Sequence, residues 1–127
     1  MPVCLGTALA TVVVTAQAFT LAWMHSIEKQ RWEEDWRVEG GELVLDTVRV
    51  KGHGAGMEPP PGAVLRDGAW EWHPRSRHAA LLLTRSEFTA DYDWCVAGAA
   101  CVPMSEVIAA AGDVTRVWPC GDPAGGR

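Results

Sequence analysis

Phe19-Thr-Leu-Ala-Trp-Met-His25 and Trp32-Glu-Glu-Asp-Trp-Arg-Val38 decide the fold. In the first stretch Phe19, Leu21, Trp23 and His25 share one face of an extended chain, and Thr20, Ala22 and Met24 the other. In the second, Trp32, Glu34, Trp36 and Val38 oppose Glu33, Asp35 and Arg37. A period of two is the signature of a half-buried strand. Working outward, Glu39-Gly-Gly-Glu42 leads into Leu43 to Lys51, and a Gly-Gly pair between two extended runs predicts a hairpin. Ala69 to His73 follows the turn Arg66-Asp-Gly68, and His78 to Thr84 is an apolar run suited to a strand inside a sheet. Ser105 to Ala111 is the one helical candidate, with Ser105 as cap and Gly112 as terminator. The expectation is an all-β fold, a small antiparallel sandwich or partly closed barrel of about seven to nine short strands with one short helix.

The chain has 127 residues, room for one domain, here placed at 1–120 with 121–127 as a flexible tail. Its 13 glycines and 8 prolines imply many turns. A net charge of -5 leaves no basic excess for phosphates, which excludes nucleic acid and anionic lipid as natural partners. Seven tryptophans, most at alternating strand positions, read as core, with any exposed members free to form an interface.

Cys4, Cys95, Cys101 and Cys120 are an even set without a CxxC spacing, so disulfides are a better reading than a zinc or redox motif. The short loop Cys95 to Cys101 closes readily on itself, leaving Cys4 for Cys120 and tying the chain ends together. Bridged cysteines place the domain outside the reducing cytoplasm. Residues 1–24 carry no charged side chain, yet they lack the basic flank and Leu-rich core of a signal peptide and are thinned by Thr7, Thr11, Thr15 and Gln17. They are therefore expected to belong to the fold. Any membrane attachment then comes through a partner or an anchor missing upstream, with no clear signal peptide in the chain.

The densest polar cluster is His25-Ser-Ile-Glu-Lys-Gln-Arg-Trp-Glu-Glu34, where Glu28 or Glu34 is placed to orient His25. A triad from adjacent His25 and Ser26 is excluded, because neighbours on a strand point to opposite faces. The loop Gly52-His-Gly-Ala-Gly-Met-Glu-Pro-Pro-Pro-Gly62 lacks the Lys-Ser/Thr and the helix of a nucleotide cradle, and Pro59 to Pro61 remove donors. Its glycines suit a small-anion wall instead. No His-x-His or His-x3-His pair supports a metal. The hairpin brings the two connections to one end of the sheet, giving a candidate pocket of His25, Ser26, Glu28, Lys29, Glu34, Gly54, Gly56 and Glu58, with Lys29 as counter-charge for a carboxylate.

The order Cys4-Leu5, Phe19-Thr-Leu-x-Trp, His25-Ser-Ile-Glu-Lys, Trp32-Glu-Glu-x-Trp-Arg and Gly52-x-Gly-Ala-Gly-Met-Glu-Pro-Pro resembles the bacterial domain of unknown function 1850, from about Cys4 through Cys120. Members of that family are often encoded beside tripartite (TRAP-type) transporters with TAXI-type receptors. The resemblance therefore implies a periplasmic or extracytoplasmic accessory to solute uptake, partnered by transporter subunits or a small carboxylate. It implies no reaction and no cofactor. Binding is thus the expected role. The alternative is a small hydrolase-like or metal-dependent enzyme using His25 with Glu28 or Glu58.

Overall fold

The computed structural model describes residues 1–25, 30–51, 59–86 and 90–121, with the backbone alone for His25. The strands run β1 Val3–Gly6, β2 Thr11–Val14, β3 Ala18–His25, β4 Gln30–Glu39, β5 Glu42–Lys51, β6 Val64–Arg66, β7 Ala69–Trp72, β8 Ser76–His78, β9 Leu81–Thr84, β10 Asp93–Cys95, β11 Val102–Pro103 and β12 Val114–Pro119. They form two antiparallel sheets. One has the order β2-β1-β12-β9; the other runs β11-β10-β3-β4-β5-β7-β6, with β8 also on β5. Among the described residues no barrel closes, so the architecture is a sandwich of unequal sheets.

The alternation explains the layering. Phe19 and Leu21 of β3, Trp36 of β4, Leu43 of β5 and Trp94 of β10 meet Val3 and Leu5 of β1 and Val117 of β12 in one buried cluster. Phe19 and Trp94 stack with ring centroids 4.6 Å apart. Val3 and Leu5 are fully buried, so residues 1–24 are built into the sandwich, as their Val and Thr content favours. Cys4 is bonded to Cys120 and Cys95 to Cys101.

The predicted hairpin forms at Gly40 and Gly41, whose φ of 62° and 78° are the left-handed pair that a two-residue turn needs. The count of strands exceeds expectation because pieces of two to four residues pair wherever a neighbour offers an edge. The predicted helix is the larger difference. It reduces to one 3-10 turn, Met104–Glu106, entered from Pro103 without a side-chain cap. Met104 is fully buried and Ile108 nearly so, and anchoring these two to the core fixes the segment after a single turn. Among the described residues no helix is long and apolar enough to cross a membrane. The expected tail lies outside the described residues beyond Gly121.

Candidate binding cleft

The outer face of the larger sheet carries Thr20, Glu33, Asp35, Arg37, Arg49 and Lys51, the polar half of the alternation. Register makes them a ladder. Thr20 faces Asp35 across β3 and β4; Glu33 faces Arg49 and Asp35 faces Thr47 across β4 and β5. Arg49 grips Asp35 in a fork, Nη1 to Oδ2 at 2.7 Å and Nη2 to Oδ1 at 2.8 Å, and its Nε donates to Glu33 Oε1 at 2.9 Å. Thr20 Oγ1 adds a bond to Asp35 Oδ1 at 2.7 Å. Arg31 and Lys51 approach the same Glu33, at 3.1 and 3.5 Å.

The electrostatics follow from these partners. Burial pushes the Asp35 carboxyl up, but the bonds from Arg49 and Thr20 and the charge of Arg49 outweigh it and hold Asp35 below its ordinary value. Glu33 is likewise raised by burial and brought below its ordinary value by Arg49, Arg31 and Lys51. Arg49 is held well above its usual value, chiefly by its bond to Asp35.

A register shift falls between Asp35 and Trp36, where Asp46 of β5 has no partner on β4. Such a bulge re-aims side chains. It turns Asp46 out beside Arg37, whose Nε lies 3.6 Å from Asp46 Oδ1, while Arg75 Nε reaches the same oxygen at 3.3 Å. Arg37 also pairs with Glu39. Between this rim and the Cys95–Cys101 loop lies a cleft of about 480 Å³, lined by Thr20, Asp35, Arg37, Asp46 and Arg49 on one side and by Cys95, Val96 and Ala97 on the other. Small-molecule sites span roughly 300 to 1,000 Å³. Two guanidiniums and two carboxylates leave the cleft neutral but strongly dipolar.

Of the residues expected from sequence to form a pocket, Glu34 is the one described in full. Ser26, Glu28, Lys29, Gly54, Gly56 and Glu58, with the His25 side chain, lie outside the described residues. His25 faces Gln30, and Arg31 faces Lys51, so segments 26–29 and 52–58 leave neighbouring strands at the same end of the sheet. Glu34 sits apart from that end. It faces Leu21 on the inward side of the sheet, four residues along β3 from His25 or about 13 Å.

Inside, Glu34 accepts a bond from Trp36 Nε1 at 3.1 Å. Burial raises its carboxyl above the ordinary value, and the Trp36 bond and His78 offset this only in part. Burial also raises Tyr92, with the Glu34 charge adding to it. An aromatic row crosses the same face: Trp23 stacks on Trp32 at 6.2 Å and meets Tyr92 edge-on at 5.6 Å, and Trp32 meets Trp72 edge-on at 6.2 Å. Trp36 and Trp94 are thus core and Trp23 packs against it, as the alternation predicts, while Trp32, Trp70, Trp72 and Trp118 are half-buried. Among the described residues no three His, Cys, Asp or Glu side chains converge as a metal site.

A raised carboxyl favours folding while it is protonated and loses that contribution as pH rises through its folded value. Glu34→Gln keeps an acceptor for Trp36 and removes the buried charge. Its melting temperature is expected above that of the parent at neutral pH and equal to it below about pH 4, as thermal melts at the two pH values will show. A variant less stable at neutral pH would mean that the ionised Glu34 is favourably paired.

The outward ladder was missed because the bonds that join Thr20, Glu33, Asp35 and Arg49 link residues 14 to 16 apart in sequence. The alternation of charged residues on β4 and β5 is the signal that points to it. In comparison with known proteins, a model of the family described as "Domain of unknown function (DUF1850)" matches residues 19–104. No curated protein and no solved structure matches.

Proposed function

The chain belongs to the DUF1850 family of domains of unknown function, and from that premise we propose that it is a periplasmic or otherwise extracytoplasmic binding domain. In this reading it serves a tripartite transporter of the TRAP type with a TAXI-type receptor and holds a small carboxylate in the cleft beside Cys95–Cys101. The observation that carries the reading is the pair of guanidiniums, Arg37 and Arg49, lining one cleft of small-molecule size against the apolar side chains Val96 and Ala97. Two disulfides suit an oxidising compartment and support the location.

Within this reading the two arginines have different work. Arg49 is committed to Asp35 and Glu33 and fixes the floor. Arg37 lies at the rim with a longer approach to Asp46, and it exchanges that partner for the carboxylate of the solute. Asp46 then meets a hydroxyl or ammonium group on the same molecule. The enzyme alternative rests on His25 with Glu28 or Glu58, and nothing among the described residues favours it.

One observation favours a second location for the same chemistry: Arg31 faces Lys51 where the two loop segments leave the sheet, and Lys29 belongs to one of them. A single titration separates the two. Calorimetry with a panel of small mono- and dicarboxylates is expected to show saturable binding that Arg37→Gln abolishes and Lys29→Glu preserves. The melting temperature of Arg37→Gln should hardly move, because exposed ion pairs contribute about 1 kcal/mol or less. The reverse pattern moves the site to the strand ends. Absence of binding to every member of the panel overturns both. Co-purification of transporter subunits from native membranes tests the partner.

A further inference from the structure

We propose that β2 is the two-fold seam of a homodimer, joining two four-stranded sheets edge to edge into one eight-stranded sheet. The proposal is independent of the binding cleft. Among the described residues β2 is the outermost strand of its sheet, with no strand paired on its far side. Natural edges are guarded by charge, proline or bulges, because an unguarded row of N–H and C=O groups pairs with any strand it meets. Two other edges are guarded: β11 contains Pro103, and β6 ends on Arg66 next to Asp67. At β2 there is no such guard. No Asp, Glu, Lys or Arg occurs in residues 1–24, and no proline falls between Val3 and Met24.

The occupant is specified by the sequence of the strand itself. Ala10-Thr-Val-Val-Val-Thr-Ala16 reads the same in both directions, with Val13 at its centre. An antiparallel strand laid against a second copy about a two-fold axis at Val13 pairs Val13 with Val13, Val12 with Val14, Thr11 with Thr15 and Ala10 with Ala16. Every cross-strand pair is then between residues that match in size and polarity, the pairing that stabilises sheets. An isologous interface requires this self-complementarity.

The backbone is aimed correctly for it. Thr7 N donates to Ala10 O at 2.9 Å, which makes Thr7 and Ala10 a hydrogen-bonded pair of the β1–β2 hairpin. Counting along the register, in which Gly6 faces Thr11 and Cys4 faces Val13, bonded and non-bonded pairs alternate. Thr11 and Val13 therefore sit in non-bonded pairs, with their N–H and C=O groups turned away from β1 to the open edge. The two-fold axis thus falls on a residue whose donor and acceptor are both available. The side chain of Val13 is 44% exposed on the outer face, ready to abut its symmetry mate.

The test is the mass of the intact disulfide-bonded protein in solution, by sedimentation equilibrium across a concentration series. The parent is expected at twice its 13.7 kDa chain mass. Val13→Lys places like charges face to face at the axis, and Val13→Pro removes the outward donor without touching a bond to β1. Both are expected at the single-chain mass with an unchanged circular dichroism spectrum. Hydrogen exchange on the parent gives a readout that needs no variant: the Thr11 and Val13 amides should be protected at high concentration and exchange faster on dilution into the monomer range. A parent that stays at 13.7 kDa throughout, a dimer that survives both substitutions, or Val13 exchange that ignores concentration overturns the proposal.

Discussion

Replacing Cys4 and Cys120 together by alanine is expected to cost about 4 to 5 kcal/mol, because their bond closes a loop of more than a hundred residues and so removes the most entropy from the unfolded chain. The sequence separation is 116. Cys4 is nearly buried on β1, and Cys120 follows β12 directly, where its N–H bonds to Pro2 O at 2.9 Å. The bridge thus locks two strands that are already paired in register from Val3–Pro119 to Gly6–Arg116. The matching change at Cys95 and Cys101, a separation of 6, should cost only about 2 kcal/mol on the same loop-length dependence. Denaturant unfolding of the two double variants measures both. A Cys95/Cys101 variant that loses more than the Cys4/Cys120 variant would show that native packing of the loop, and not chain entropy, governs the result.

Arg49→Met is expected to cost about 2 kcal/mol at neutral pH, in line with the loss of charge-assisted hydrogen bonds. Methionine keeps most of the stem and removes the fork, leaving Asp35 and Glu33 without their shared cation. The side chains of Arg49 and Asp35 are 26% and 33% exposed, which keeps the figure below that for breaking a fully buried pair. The pH dependence has a definite sign. Asp35 and Glu33 lie below their ordinary values in the folded protein, so their contribution is present above the unfolded carboxylate value, about 4, and is lost as pH falls through the folded values. The gap between parent and variant should therefore be widest at neutral pH and close in acid. A gap constant with pH, measured by urea unfolding at neutral and acid pH, would mean that Arg49 acts through packing of its stem alone.

Period two was plain at Phe19 to His25 and Trp32 to Val38, and the Gly-Gly turn between β4 and β5 could be read because two adjacent positive φ values admit few residues other than glycine. From these the sheet face, the hairpin and the all-β class all follow. The short strands β6, β10 and β11 gave no periodic signal, since three residues cannot display a period. Ser105 to Ala111 misled because capping and propensity are local, whereas Met104 and Ile108 answer to the core. The cleft was hidden for a related reason. Arg49 meets Asp35 only after β4 and β5 are registered, and Arg37 meets Asp46 only after the ladder slips by one. Crowding of polar residues around His25 was visible in the sequence, but crowding along a chain says little about convergence in space, and Glu34 turned into the interior while its neighbours Glu33 and Asp35 turned out.

That slip at Asp46 bears on how the strand tolerates insertion and deletion. Leu43 and Leu45 point inward before it and Val48 and Val50 after it, so two residues in succession, Asp46 and Thr47, face outward. Removing Asp46 would leave Leu43-Val-Leu-Thr-Val-Arg-Val-Lys51, an unbroken alternation with every remaining side chain on the face it already occupies. Deleting Thr47 would restore the same phase but remove a buried side chain hydrogen-bonded to His73, and deleting any other residue from Leu43 to Val50 would leave part of the strand with its faces out of phase. Asp46 is therefore a detachable unit: the sandwich is complete without it, and the local twist and the rim carboxylate of the cleft come and go with that one codon.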